Sequence, residues 1–507
     1  MPTSDILFIK VLFFYFNSIF KLPIIMKKHV LMASALAATS LAFAAQEITV
    51  SGSNFISSNN NDYRYSDTIF NFAEETNTGS FIFWADSRTA DIAFTDGTVV
   101  NGAVLVGDKD ANPLTWGRVA SNPNGTNVRI GWNNVSSYDA TIEVSGNSSV
   151  AIGGNWIQLT NGFSAVESGK IQTKLYNEDS SSKSYVHIDK LEMGLSGLEN
   201  SALVNSFEIG SNAELWTKSG IDIGKNGSST QSTGGTVKVE MIGENNAMYV
   251  YGDSHIGNNN ASAGDTFVYA KGTGSAQSGF YQDGGMNIHL SSKSDATMTS
   301  AVILDGNVEF KRPTGEHITL NIGIDSNSAG GEASFQVKGA NNFASIWNAT
   351  LFNESATGGK ATLLIEGSGS TINVNSELKV YGSGLVDGKI VGGELRFNID
   401  DTGISTLFAN KVSVFEGVIT VDFTKILLNE VESEFTILRS NNSLADLFTN
   451  DSFNFIKRDE SDIVNWSLSE DSKSLIISYV STIPEPSTCA AIFGALALAF
   501  AAYRRRK

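Results

Sequence analysis

Apolar and polar residues alternate strictly in the segment Gly235-Thr236-Val237-Lys238-Val239-Glu240-Met241. Successive side chains of a β-strand point to opposite faces, so this spacing places Val237, Val239 and Met241 on a buried face. Lys238 and Glu240 then lie on the opposite, solvent-facing side. Residues 334–339 and 419–423 repeat the pattern. The sequence therefore predicts an all-β body.

Short segments rich in glycine and asparagine separate these strands. The chain has 48 glycines, and the dipeptide Ile-Gly closes apolar segments at 130–131, 152–153, 209–210, 223–224, 242–243, 256–257 and 322–323. Both residue types tolerate the positive φ of sharp turns. We therefore expect turns at residues 243–246, 257–260 and 339–342.

The recurrence of these strands and turns is irregular, so no strict repeat unit can be defined. A β-solenoid with variable loops produces this pattern, because each coil turns sharply and stacks its aliphatic residues on the next. No proline lies between Pro123 and Pro313 or between Pro313 and Pro484, which favours one continuous ladder. An array of β-sandwiches is the alternative, but the boundaries that it needs are not found.

Residues 126–397 resemble the right-handed parallel β-helix regions of autotransporter-like and polymorphic surface proteins. The resemblance implies a right-handed solenoid, which we assign to residues 121–405, after an N-terminal cap at residues 46–120. A C-terminal β unit at residues 406–481 follows, with a short helix at residues 443–448 and a final hairpin of residues 464–469 and 474–479. Caps are expected because open coils expose unpaired strand edges.

The C-terminus has the order of a membrane anchor. Pro484, Glu485 and Pro486 precede an uncharged run from Cys489 to Tyr503, and the chain ends in Arg504, Arg505, Arg506 and Lys507. The prolines favour an extended, accessible tripeptide. The run predicts a transmembrane helix at 489–503 of about 22 Å, short of the roughly 30 Å hydrocarbon core, so the cations must anchor its cytoplasmic end.

Residues 483–507 resemble the PEP-CTERM sorting signal of exosortase substrates, a tail also labelled an ice-binding protein C-terminal motif without implying ice binding. The resemblance implies that an exosortase recognises Pro484, Glu485 and Pro486 and releases or transfers the body.

The N-terminus predicts export. Met26-Lys27-Lys28-His29 and the apolar run that follows form a signal peptide at residues 26–45, with cleavage near Ala44 or Ala45 by signal peptidase. We interpret residues 1–25 as an upstream mis-start, with an extra apolar segment as the alternative.

The exported body is acidic. Removal of residues 1–45, with four lysines and one aspartate, and of the four terminal cations lowers the formal charge from −18 to −25. This charge repels phosphates and excludes nucleic acid as an expected partner. The single cysteine, Cys489, lies in the anchor, so no intrachain disulfide can form.

Catalytic motifs are absent from the sequence. His29 lies in the signal peptide, and His187, His255, His289 and His317 lie far apart without metal-ligand spacing. Asp400 and Asp401 resemble the clustered aspartates of pectin-cleaving β-helix enzymes. Their Gly-His-Gly and Arg-x-Lys companions are missing, so we interpret the pair as a solvated turn. We expect no catalytic site, metal site or cofactor.

Together these features predict a protein that is exported, held transiently in the inner membrane, and then located at the cell surface or outside the cell. Its expected role is structural or adhesive and linked to exopolysaccharide, the expected extracellular partner. A carbohydrate-active β-helix enzyme, either a hydrolase or a lyase, is the alternative, because β-helices host such enzymes although fold alone does not fix function.

Overall fold

The computed structural model describes residues 137–152, residues 167–481 and the helix at residues 486–505. Within residues 167–481 the gaps are at 189, 196–197, 199, 226–233, 258–259, 314–316, 387 and 427–431. Of residues 46–136 and 153–166 it describes strands only. By proximity of Cα atoms the chain divides into residues 1–46 and residues 47–507. The signal peptide, Ala44, Ala45, Pro484, Glu485, Arg506 and Lys507 lie outside the described residues.

The N-terminal part contains short strands. These are β1 (Gln46–Val50), β2 (Phe55–Ser57), β3 (Asp62–Ser66), β4 (Thr68–Phe72), β5 (Ile82–Trp84), β6 (Ala90–Thr95), β7 (Val99–Gly102), β8 (Leu105–Val106), β9 (Gly117–Arg118), β10 (Val128–Ile130), β11 (Ser137–Val144), β12 (Ser149–Ile152) and β13 (Ile157–Leu159).

The middle part has three strands per coil. These are β14 (Ser168–Leu175), β15 (Ser184–Ile188), β16 (Leu191–Gly194), β17 (Ala202–Ile209), β18 (Ala213–Thr217), β19 (Ile221–Lys225), β20 (Thr236–Gly243), β21 (Ala247–Val250), β22 (Ser254–Ile256), β23 (Asp265–Gly272), β24 (Ser278–Gln282), β25 (Met286–Ile288), β26 (Thr299–Asp305), β27 (Val308–Lys311) and β28 (Thr319–Ile322).

The C-terminal part has longer strands and one α-helix. These are β29 (Ala329–Lys338), β30 (Phe343–Leu351), β31 (Gly358–Glu366), β32 (Thr371–Val380), β33 (Gly382–Val386), β34 (Lys389–Asp400), β35 (Leu407–Phe415), β36 (Val418–Lys425), β37 (Glu432–Ser440), β38 (Phe453–Ile456), β39 (Ile463–Leu468), β40 (Ser474–Val480) and α1 (Pro486–Arg505). A short 3-10 helix covers Asn450–Ser452.

The predicted all-β, parallel solenoid is confirmed. In one 14-stranded sheet, thirteen strands follow one another in chain order, one from each coil, from β3 through β14, β20 and β29 to β38, and β33 pairs with β34 beside them. We call these thirteen strands the first face. Every neighbouring pair along them is parallel, as in β20 with β23 and β29 with β31. Each strand thus pairs with one about 30 residues further along, which is the length of a solenoid coil.

The remaining strands form a second face from β12 through β15, β18, β21 and β24 to β27, and a third from β13 through β16, β19, β22 and β25 to β28. The two faces merge at β30, whose start pairs with β27 and whose end pairs with β28. From there on each coil has two longer strands. These parallel pairings exclude the β-sandwich alternative for the described strands.

The core consists of columns of stacked side chains. Val239 is fully buried, as predicted, with Phe207 on one neighbouring coil and Val268 on the other. One further column is buried throughout and comprises Leu175, Ile209, Met241, Ala270, Leu304, Val337, Ile365, Phe397 and Val421. Lys238 and Glu240 lie on the outer side, where they form an ion pair of 2.5 Å.

Several turns use the residues that the sequence pattern predicted. Asn245 and Asn341 have positive φ values of 54° and 62°, as expected for turns after Gly243 and Gly339. Gly257, from an Ile-Gly pair, has φ +88°, and a Cβ there would lie 2.0 Å from Ser300 Oγ. This corner therefore requires glycine both for its φ and for the close approach of the next strand.

The C-terminal hairpin is confirmed, since β39 pairs antiparallel with β40 and Trp466 lies opposite Ile477. The predicted helix at residues 443–448 was wrong. Asp446 has a positive φ of 66°, and Leu444 is buried while its N–H donates to the Ser472 carbonyl at 2.7 Å. Tertiary contacts therefore override the local helical preference of this segment.

Candidate functional site

A groove runs across three consecutive coils of the first face. The register places Thr299 of β26 beside Glu332 of β29, and Glu332 beside Lys360 of β31. All three residues line the groove. Because neighbouring coils lie about 4.8 Å apart, the three side chains form a row along the stacking direction.

The hairpin of β33 and β34 forms the other wall. Its strands pair antiparallel, with Leu385 opposite Ile390, whereas the rest of β34 belongs to the parallel ladder. Leu385, Ile390 and Val391 face the groove together with Lys389 and Asn454, and the groove has a volume of about 980 Å³. The row of residues on the coils forms the polar side of this groove, and the aliphatic residues of the hairpin form its apolar side.

Glu394 lies fully buried beside this groove. Thr362 Oγ1 donates a hydrogen bond of 2.9 Å to Glu394 Oε2, and Lys360 Nζ lies 3.7 Å from the same oxygen. Glu394 Oε1 is buried without a hydrogen-bond partner. The buried Glu394 carboxylate therefore forms an ion pair with Lys360, which lines the groove.

An aromatic ladder lies on the outside of the second face. His187, Trp216, Tyr249 and Tyr281 occupy equivalent positions on four consecutive coils. The Trp216 and Tyr249 ring centroids are 3.6 Å apart, those of Tyr249 and Tyr281 are 4.7 Å apart, and Lys311 Nζ lies 5.9 Å from the Tyr281 centroid. Burial raises the pKa values of Tyr249 and Tyr281. The stacked ring faces cover one another, so the ladder stabilises the stacking of the coils.

Two histidines that are distant in sequence meet on the third face. His255 Nδ1 lies 3.0 Å from His289 Nε2, and His289 Nδ1 lies 2.8 Å from Asp325 Oδ2. If His289 donates to Asp325, its Nε2 accepts from the His255 Nδ1–H. Burial and the neighbouring His289 lower the pKa of His255.

Neither this histidine pair nor the groove was predicted from the sequence. The four histidines outside the signal peptide lie far apart in sequence, but the 34 residues that separate His255 from His289 correspond to one coil. A separation of one coil length is the sequence signal from which the proximity of His255 and His289 could have been predicted. Among the described residues, no cluster of three or more His, Cys, Asp or Glu side chains could hold a metal ion.

Asp400 is the last residue of β34, directly before the turn. Its Oδ1 accepts hydrogen bonds from the Thr402 backbone N–H at 2.8 Å and from Thr402 Oγ1 at 2.6 Å. Its neighbour Asp401 lies in that turn, as interpreted from the sequence. The Asp400 carboxylate therefore serves to close the turn after β34.

Helix α1 begins at Pro486 and ends at Arg505, so it starts before the predicted Cys489. Proline fits the first turn of a helix because no partner for its missing N–H is needed there. All side chains from Ala490 to Arg505 are exposed, including Phe493 at 71% and Leu498 at 73%. Within the described part of the chain, no helix combines the length and apolar character needed to cross a membrane.

No protein family model, curated protein or solved structure matches the chain.

Proposed function

We propose that this chain is an exported protein that an exosortase sorts through Pro484, Glu485 and Pro486. Helix α1 holds it transiently in the inner membrane, and the processed body acts at the cell surface or in the extracellular matrix. Its role there is structural or adhesive and linked to exopolysaccharide.

Helix α1 carries this proposal. It presents a continuous apolar surface to solvent and ends at Arg504 and Arg505. Exposed apolar patches of this kind are stable when another phase or partner covers them. A bilayer supplies both an apolar phase for the helix and an anionic surface for the arginines. Because the apolar run is short, the arginines must extend to the headgroups and the bilayer must thin locally.

We further propose that the solenoid is right-handed and closed at both ends. Parallel crossover connections are right-handed in about 98% of cases, which supports the hand. At the C-terminal end, β40 lies between β37 and β39 with antiparallel pairing on both sides. This unit, within residues 406–481, shields one end of the ladder. At the other end we propose that residues 46–120, whose strands β3 and β6 already continue the first face, provide the cover.

A cell-fractionation experiment tests the sorting step. Glu485→Ala should leave membrane insertion unchanged but prevent recognition by the exosortase, so that full-length protein accumulates in the inner membrane. Glu470→Ala, at an exposed position in the turn between β39 and β40, is the matched control and should be processed normally. Normal processing of Glu485→Ala would contradict the proposal, and so would normal processing of the wild type in cells without exosortase.

The groove also supports a carbohydrate-active enzyme, because Glu332 and Lys360 occupy paired positions on adjacent coils and both line it. Purified protein incubated with acidic and neutral glycans separates the two functions. Saturable binding without turnover supports the adhesive role, whereas release of shorter oligosaccharides supports the enzyme.

A further inference from the structure

We propose that the groove between the first face and the β33–β34 hairpin binds a single chain of an uncharged polysaccharide, oriented along the stacking direction of the coils. This inference rests on the proposed adhesive role and names the class of glycan and its site.

The geometry of the coils favours a polymer with a short repeat. Thr299, Glu332 and Lys360 follow one another on consecutive coils, so a polar side chain recurs about every 4.8 Å. An extended chain of pyranose sugars repeats with each ring, on a scale comparable to the coil spacing. Successive sugars can therefore meet successive coils without a mismatch over the length of the groove.

The chemistry of the walls matches the two kinds of surface that a sugar ring presents. Leu385, Ile390 and Val391 on the hairpin side offer aliphatic surface for the C–H face of the ring. Thr297 offers a hydroxyl group. Thr299 Oγ1 and the Asn454 amide donate within the chain to Asp265 and Thr420, and their oxygens can accept from the sugar hydroxyls. Binding sites of this type combine apolar contact area with a few placed polar groups.

Charge decides between neutral and anionic glycans. The charged side chains that line the groove are Glu332, Lys360 and Lys389, and Lys360 is paired with the buried Glu394. With Glu394 included, two carboxylates balance two ammonium groups. The whole chain has a formal charge of −18, so a polyanion would meet a balanced groove on a repelling surface.

Glu394 supports the placement of Lys360, since Thr362 Oγ1 donates to its Oε2 and Lys360 Nζ lies 3.7 Å from the same oxygen. The arrangement fixes the Lys360 ammonium at the groove before any ligand arrives. A preorganised donor binds a hydroxyl with a smaller loss of side-chain entropy.

Isothermal titration calorimetry of the full chain in detergent tests the proposal with β-1,4-linked glucan oligosaccharides of increasing length. Affinity should rise with length and level off at about three sugars, because the row that lines the groove crosses three coils. An oligogalacturonate of the same length should bind more weakly. Tighter binding of the anionic oligosaccharide, or no binding of any neutral one, would overturn the assignment of the ligand class.

Variants of the hairpin tip locate the site. Leu385→Ala removes aliphatic surface from the groove and should weaken glucan binding about fivefold. Val386→Ala is the matched control, since Val386 is comparably exposed, at 45% against 47% for Leu385, but does not line the groove. Equal binding by the two variants would show that the glycan binds elsewhere.

These outcomes are separable from those of the sorting experiment. Loss of binding at the groove leaves the mature termini of the protein unchanged, and failure of sorting leaves calorimetric binding unchanged.

Discussion

The imidazole rings of His255 and His289 share a hydrogen bond of 3.0 Å although the residues are 34 positions apart. Only one of the two facing nitrogens can carry the shared proton, so protonation of both rings breaks the bond. The stacking of one coil on the next thus couples two groups that the sequence places in separate turns.

This pair predicts a pH-dependent stability. The pKa of folded His255 lies below its ordinary value of 6.5 because of burial and the charge of His289, with a smaller lowering from Lys190 and opposing effects from Asp222 and Asp253. Below pH 6.5, His255 binds a proton more readily in the unfolded chain than in the folded chain. The contribution of His255 to stability is therefore fully present above pH 6.5 and is lost as the pH falls toward its folded pKa.

Urea unfolding between pH 7.5 and pH 5.5 measures this loss. His255→Asn should flatten the decline in the free energy of unfolding, whereas His317→Asn, which removes a histidine from outside the pair, should leave the contribution of His255 in place. An identical pH profile for wild type and His255→Asn would contradict the interpretation.

The assigned strand faces predict that substitutions at two adjacent residues lower the free energy of unfolding by very different amounts. Val239→Asp would place a carboxylate between the buried Phe207 and Val268 and should reduce the free energy of unfolding by about 4 kcal/mol. Lys238→Asp loses an ion pair with Glu240 whose side chains are 24% and 21% exposed, and should cost about 1 kcal/mol. Chemical denaturation of both variants gives the comparison, and equal losses would mean that the assigned faces are wrong.

Two glycines with positive φ should differ in how much stability the protein loses when each is replaced by alanine. Ala at Gly257 would combine a positive φ with a clash against Ser300, and should cost about 3 kcal/mol. Gly384 also has a positive φ, of 73°, but a Cβ there would meet nothing within 4 Å. Gly384→Ala should therefore cost only about 1 kcal/mol in a thermal or urea unfolding measurement. A larger loss from Gly384→Ala than from Gly257→Ala would contradict this account of the corner.

Retention of the unprocessed protein in the membrane should depend on the cations at the end of α1. Simultaneous replacement of Arg504, Arg505 and Arg506 by Ser removes the groups that hold the cytoplasmic end of a short apolar run. Unprocessed protein should then appear in the soluble periplasmic fraction on immunoblots. A triple Lys variant keeps the charge and should stay in the membrane, and release of both variants would argue against a role for charge.

Local patterns in the sequence were sufficient for the strand faces and several turns. The alternation around Val239 and the glycine-asparagine pairs at Asn245 and Asn341 depend only on neighbouring residues. The groove could not be predicted in this way, because the row of Thr299, Glu332 and Lys360 depends on the register between coils. That register varies with loop length, and the β33–β34 hairpin is an insertion that breaks the coil pattern. Residues 443–448 show the same limit, since the contact of Leu444 with the final hairpin decides their conformation.

The central claim, export followed by processing at the C-terminal tail, is tested most directly by mass spectrometry of the mature protein recovered from the cell surface or medium. The account predicts an N-terminus near Ala45 or Gln46 and a C-terminus between Pro484 and Ser487. Recovery of a peptide containing Arg504 to Lys507 from that mature form would contradict it.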